Sequence, residues 1–151
     1  LGVEALRSFL LRNRRIALDT NVFIYHLEGN SRYLPLTDLL FSALERTGLD
    51  AITSTITMTE LLVPAYKLGD EDKIDELYAI LSRYPHLQWI PPDLEIAALA
   101  AELRALHRLK TPDALQAATA VHASATGFIT NDSVFTRLMG FETLVLDRIL
   151  A

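Results

Sequence analysis

Short apolar runs alternate along the chain with longer stretches in which apolar residues return at helical spacing. Val3, Leu6, Phe9 and Leu10 share one face of an amphipathic helix over about residues 3–13, and Arg15–Leu18 reads as a strand. A helical turn follows at Val22–His26, then a helix from about Leu34 to Thr47 with Gly48 as its C-cap. Asp50–Thr53 is a second strand. Helices over about 55–68 and 71–84 stop at Gly69 and before Pro85, and Leu87–Ile90 is a third strand closed by Pro91 and Pro92. An Ala- and Leu-rich helix covers about 93–109. Thr111-Pro112 opens another, with threonine as N-cap and proline in the first helical position. Ala114, Ala117, Ala118, Val121 and Ala125 give that helix a stripe of small residues suited to lying close on a sheet, and Gly127 is expected to end it. Phe128–Thr130, a short helix near 133–138 and a fifth strand at Thr143–Leu146 complete the pattern. Strands separated by helices predict a parallel sheet covered on both faces. No repeat or Gly/Ser linker interrupts this order, so residues 1–151 are expected to form a single domain.

Composition narrows the function. With 50% hydrophobic and 22% charged residues in 151, the chain has the makings of an ordinary core that needs no staples. The absence of cysteine rules out disulfides and thiolate metal sites and suits a reducing compartment. No apolar span approaches the ~20 residues of a membrane helix. The early basic cluster lies at the wrong end of its segment for a secretory signal, so a cytoplasmic location is expected. A net charge of −5 argues against coating nucleic acid by bulk electrostatics. It leaves room for an enzyme in which a cation brings phosphate to a local acidic site.

Ligands of open parallel sheets sit beyond the carboxyl ends of the strands, and acids gather there. The first strand ends on Asp19-Thr20-Asn21 and the fourth on Thr130-Asn131-Asp132-Ser133. Asp113 opens the helix that feeds the fourth strand, and Glu60 lies on the helix after the second. Asp19 and Asp132 can each be simple helix caps, and Asp113 can serve a helix dipole. Glu60 is harder to explain in that way. Its neighbours at i−4 and i+3 are Ile56 and Val63, Pro64 bends the helix beside it, and no base lies within a turn. A carboxylate on an apolar, buried face requires a partner. If the first and fourth strands are neighbours, ~4.8 Å apart, their acids nearly touch and raise one another's pKa unless a cation binds between them. Mg²⁺ or Mn²⁺ suits such oxygen ligands.

Four segments, LDTNVFIYHLEG, ITMTELL, LKTPDALQAATA and GFITNDSVF, resemble in order and interval the motifs of PIN-domain ribonucleases, especially the VapC-type toxins of toxin–antitoxin pairs. The resemblance runs from about Arg15 to Leu146. It implies a three-layer α/β/α fold with a five-stranded parallel sheet in the order 3-2-1-4-5, in a PIN-like core of about 15–147. It implies that Asp19, Glu60, Asp113 and Asp132 form a metal-binding, catalytic constellation: Asp19 and Asp113 the most direct ligands, Glu60 and Asp132 completing the shell. Asn21 and Thr130 would orient the acids. The implied activity is Mg²⁺- or Mn²⁺-dependent hydrolysis of RNA, with a cognate antitoxin and a homodimer as partners.

The stretch 1–14 is an addition to the family pattern and is expected to be an extra helix. RNA must be held by local bases, of which Arg104, Arg108 and Lys110 precede Asp113, with Arg14 and Arg15 beside the first strand. A solvated helix face explains these bases equally well. A catalytically weak PIN-like module that binds RNA or protein is the alternative function. A haloacid-dehalogenase-type phosphatase would need D-x-D, and Asn21 stands where its second acid belongs. His26, His86, His107 and His122 lack paired ligand spacing, and Tyr25 and Trp89 read as core aromatics.

Overall fold

The computed structural model describes residues 2–46 and 48–150. Strands β1 (Arg15–Leu18), β2 (Asp50–Ser54), β3 (Leu87–Ile90), β4 (Gly127–Thr130) and β5 (Glu142–Val145) form one parallel sheet. Its order is β3-β2-β1-β4-β5, as the resemblance implied, and helices cover both faces in a three-layer α/β/α arrangement. Strand alternation builds the two cores. Ile16, Leu18, Ala51 and Ile129 point to one side; Ala17, Ile52 and Phe128 point to the other. Because both sides of the central strands are buried, Ile16–Leu18, Ala51–Ile52 and Phe128–Ile129 are continuous apolar runs rather than alternating with polar residues.

The first face is covered by α1 (Gly2–Arg12), α2 (Thr20–Leu27), α3 (Leu34–Leu44), α4 (Ile56–Lys67), α5 (Glu71–Ser82) and the short α8 (Leu146–Leu150). The second is covered by α6 (Leu94–His107), α7 (Thr111–His122) and a 3-10 turn, Ser133–Arg137. The turn expected at Val22–His26 is a full helix, since Asp19 caps it one residue before Thr20. Helix α3 ends at Leu44; the expected end at Thr47 lies outside the described residues. Pro64 sits inside α4, which continues to Lys67.

Two expectations about small residues fail. Gly127 does not end α7: the helix stops at His122, the chain reverses with Ser124 at φ 59°, and Gly127 opens β4. A Cβ on Gly127 would stand 2.7 Å from the Phe9 ring, so this glycine makes room for α1 to rest on the strand. Val121 leaves the small-residue stripe and is 36% exposed, while Ala114, Ala117, Ala118 and Ala120 are fully buried against α6 and β2. The extra helix is tied in as well: Asn13 Nδ2 and Arg12 Nη2 both donate to the Glu142 carboxylate, at 2.7 and 2.6 Å. Trp89 is half-buried against Phe23 and donates to the Leu81 carbonyl, as a core aromatic should. Among the described residues, no helix is long and apolar enough to cross a membrane.

Candidate active site

Strands β1 and β4 pair in register, Leu18 beside Ile129, so the residues that follow them emerge together at the carboxyl edge of the sheet. Asp19 N donates to the Ile129 carbonyl at 3.0 Å, which fixes the backbone. The two carboxylate oxygens of Asp19 then have separate duties. Oδ1 accepts from Thr20 N at 2.8 Å and caps α2; Oδ2 accepts from Thr130 Oγ1 at 2.7 Å. Capping and site membership are therefore not alternatives for this residue. Thr130 Oγ1 also accepts from Asp132 N at 3.0 Å, so one buried hydroxyl sets both acids. Asp132 caps the 3-10 turn by accepting from Val134 N and is exposed. Asp113 is half-buried in the first turn of α7.

Glu60 corrects the expectation of a buried face. It is exposed, and so is Val63; its partner is the Thr20 hydroxyl, which donates to Oε1 at 2.8 Å. Val63 faces outward, and Leu61 and Pro64 border a groove beside Glu60, so the carboxylate stands at an open surface rather than in the core.

The four acids still act on one another. Burial pushes Asp19 up to about 6. The hydrogen bonds from Thr130 and Thr20 oppose that rise, and the charges of Asp113 and Glu60 add to it. Asp113 is raised as well, first by burial and then by Asp132 and Glu60, with Lys110 pulling the other way. Four elements thus bring four carboxylates into one electrostatic neighbourhood. Among the described residues, no group of three His, Asp or Glu side chains stands ready to hold a metal ion. The donor set nonetheless fits a hard divalent cation, since every polar atom here is oxygen or amide and Mg²⁺ is commonly held by one or two carboxylates plus water. Asn21 supports the fit: its Nδ2 lies 3.5 Å from Asp19 Oδ2, and its Oδ1 is buried with no hydrogen-bond partner.

The candidate bases divide. Lys110 is close enough for its charge to act on Asp113. Arg104 donates to the Leu109 carbonyl and Arg108 ends α6 in the left-handed region, so both shape the α6–α7 turn. Arg14 and Arg15 lie at the amino ends of the strands, opposite the acids, bonded to the Gly48 and Ala123 carbonyls. His26 stacks on Phe41, and His122 pairs with Asp93 and Glu95.

Sequence reasoning missed several uncharged residues. Asn131 donates to the Tyr25 and Tyr33 hydroxyls and accepts from Asp147 N, anchoring the turn that carries Asp132. Tyr25, expected in the core, is half-buried and stacked on Tyr33 at 4.0 Å. Thr20, Thr57 and Gln116 lie buried beneath the acids. The available signal for Gln116 was one amide among the alanines of an apolar face.

Residues 16–140 match the family model described as PIN domain. A toxin–antitoxin complex from Klebsiella pneumoniae superposes with a TM-score of 0.64 at 25% identity, covering 87% of this chain and 97% of that one. FitAcB from Neisseria gonorrhoeae gives 0.64 at 26% identity, with the same coverages. VapBC2 from Rickettsia felis, bound to a DNA fragment from its promoter, gives 0.66 at 20% identity over 87% and 98%, a likeness of fold. A search of curated proteins finds no significant match.

Proposed function

The chain belongs to the PIN domain family, and on that footing we propose that it is a metal-dependent endoribonuclease, the toxin of a toxin–antitoxin pair. The observation that carries this reading is the convergence of Asp19, Glu60, Asp113 and Asp132 at the carboxyl edge of the sheet, where burial first, and then the charges of neighbouring acids, raise Asp19 and Asp113. Asp19 and Asp113 would hold Mg²⁺ (or Mn²⁺) most directly, with Glu60 and Asp132 completing the shell. When bound, the ion lowers the pKa of an attacking water and neutralises phosphate charge. The chain's own part is to keep the carboxylates ionised and aimed. Thr130 and the Thr20 amide hold both oxygens of Asp19, and Asn21 steadies one of them. Lys110 offers a cation beside Asp113 for the RNA backbone, a role for which Arg104 and Arg108 stand farther along the same turn.

The structural neighbour from Klebsiella pneumoniae, a toxin–antitoxin complex, supports an antitoxin partner. An apolar groove between α2, α4 and α5, lined by Ile24, Leu27, Leu61, Pro64, Leu68 and Leu77, runs up to Glu60. With Glu28, Glu60 and Asp70 on its walls, it suits an apolar segment carrying basic residues. A homodimer, a cytoplasmic location, and one domain with α1 added to a core of about 15–147 belong to the same reading.

The test is RNA cleavage with Mg²⁺ or Mn²⁺, with EDTA, and with Asp19→Asn. Cleavage that survives EDTA and Asp19→Asn sinks the metal mechanism. The second reading is a weakly catalytic PIN-like module that binds RNA or a protein partner. Failure of clean, metal-loaded protein to cut any RNA would favour that reading instead.

A further inference from the structure

We propose that Gln116 is a positioning residue that sets, through Thr57 and Thr20, the direction in which Glu60 faces the other acids; the inference rests on the metal-dependent reading above. Each acid-bearing element on this side of the site contributes one buried polar residue. Gln116, 3% exposed, lies one turn after Asp113 on α7. Thr57, fully buried, lies one turn before Glu60 on α4. Thr20, 6% exposed, adjoins Asp19.

Proton accounting gives the cluster a single polarity. The Glu60 carboxylate and the Leu18 carbonyl can only accept. Thr20 therefore commits its one proton to Glu60 Oε1 at 2.8 Å, and Thr53 commits its own to Leu18 O at 2.9 Å. Thr57 lies 2.7 Å from Thr53 Oγ1 and 3.2 Å from Thr20 Oγ1, and donates to the nearer. With every hydroxyl proton directed away from it, the remaining member has to be a donor. Gln116 Nε2 meets that need, 2.6 Å from Thr57 Oγ1 and 3.4 Å from Thr20 Oγ1, while its Oε1 faces Ser54 N at 3.4 Å. Turned over, the amide would set its NH₂ against the Ser54 N–H and its carbonyl against Thr20 Oγ1, whose proton is committed to Glu60. In this orientation the amide donates to both threonine oxygens, which holds Thr20 in place and leaves its proton for Glu60.

Apolar packing alone gives no reason for this residue. Its neighbours on the buried face of α7 are Ala117, Ala118 and Ala120, and an aliphatic side chain there would avoid the cost of burying an amide. Holding Glu60, an exposed carboxylate, through Thr20 is a function that a donor at this position serves.

The experiment uses the full chain with Mn²⁺ as probe, measuring binding by calorimetry and solving crystal structures of Gln116→Leu and wild type. Gln116→Leu should weaken Mn²⁺ binding by about 10- to 100-fold, the range for outer-shell partners of metal ligands. In its crystal structure Glu60 should leave Thr20. Thr20→Val should show the same loss and Thr20→Ser should restore binding; this pair decides the matter should Gln116→Leu fail to fold. In a Glu60→Gln background, Gln116→Leu should add no further loss. Undiminished Mn²⁺ binding in Gln116→Leu, with Glu60 still bonded to Thr20, overturns the proposal. An equal loss with and without Glu60 also overturns it. If wild type binds no Mn²⁺, the metal reading fails, and the position of Glu60 in the two crystal structures alone decides for or against Gln116.

Discussion

Replacing Asp19 by asparagine should raise the stability of the metal-free protein at neutral pH. Asp19 is 7% exposed, and its folded-state pKa of about 6 stands above the ordinary 3.8. The folded chain therefore holds the Asp19 proton more tightly than the unfolded chain does. Stability from this group is complete below about pH 4, is lost as pH rises to about 6, and stays lost above. The gap is worth about 3 kcal/mol at most. Asparagine keeps an oxygen for Thr20 N but turns an NH₂ toward the Thr130 hydroxyl, which costs about 1 kcal/mol. The net gain of about 2 kcal/mol corresponds to roughly 4–8 °C in Tm for a domain of this size. Thermal melts in EDTA at pH 7.5 and pH 4 measure it: the gain should appear at the first and vanish at the second. A lower Tm for Asp19→Asn at pH 7.5, or an equal gain at both pH values, refutes the reasoning. Saturating Mn²⁺ should reverse the ranking, because the ion stabilises only a chain that binds it.

Thr130→Val removes the hydroxyl shared by Asp19 and Asp132, and Mn²⁺ affinity should fall by about 10-fold or more in calorimetry; unchanged affinity would show that the backbone alone sets the acids. Gly127→Ala drives a methyl into Phe9 and should destabilise the fold by about 1–3 kcal/mol in urea titrations, with wild-type behaviour refuting the close seating of α1. Arg14→Gln should leave RNA cleavage within about 2-fold of wild type, since Arg14 sits at the far end of the sheet; a large loss in the cleavage assay would place RNA across the whole molecule.

The elements were legible because the strands carry short apolar runs, buried on both faces at the centre of the sheet, between stretches of helical periodicity. Their spatial order was not legible from periodicity, which is blind to pairing; the family resemblance supplied it. Asp19 and Asp132 stood out because charge at the end of an apolar run is conspicuous. The devices that hold them were hidden for the opposite reason: Thr20, Thr57 and Gln116 are uncharged, and their partners lie far away in sequence. Glu60 was misjudged because a helical wheel does not tell a core from a groove. Arg14 and Arg15, a few residues from Asp19, misled because a four-residue strand is enough to carry the chain from one edge of the sheet to the other.

The Thr130–Asp19 hydrogen bond joins residues 111 positions apart. Synthesis proceeds from the amino terminus, so Asp19 and Glu60 leave the ribosome long before the strand that aligns them exists. Whatever chemistry these acids perform, it begins only after β4 has been made and has slotted in beside β1. A nascent chain is therefore inert through most of its synthesis, and the timing of its first activity is written into the strand order.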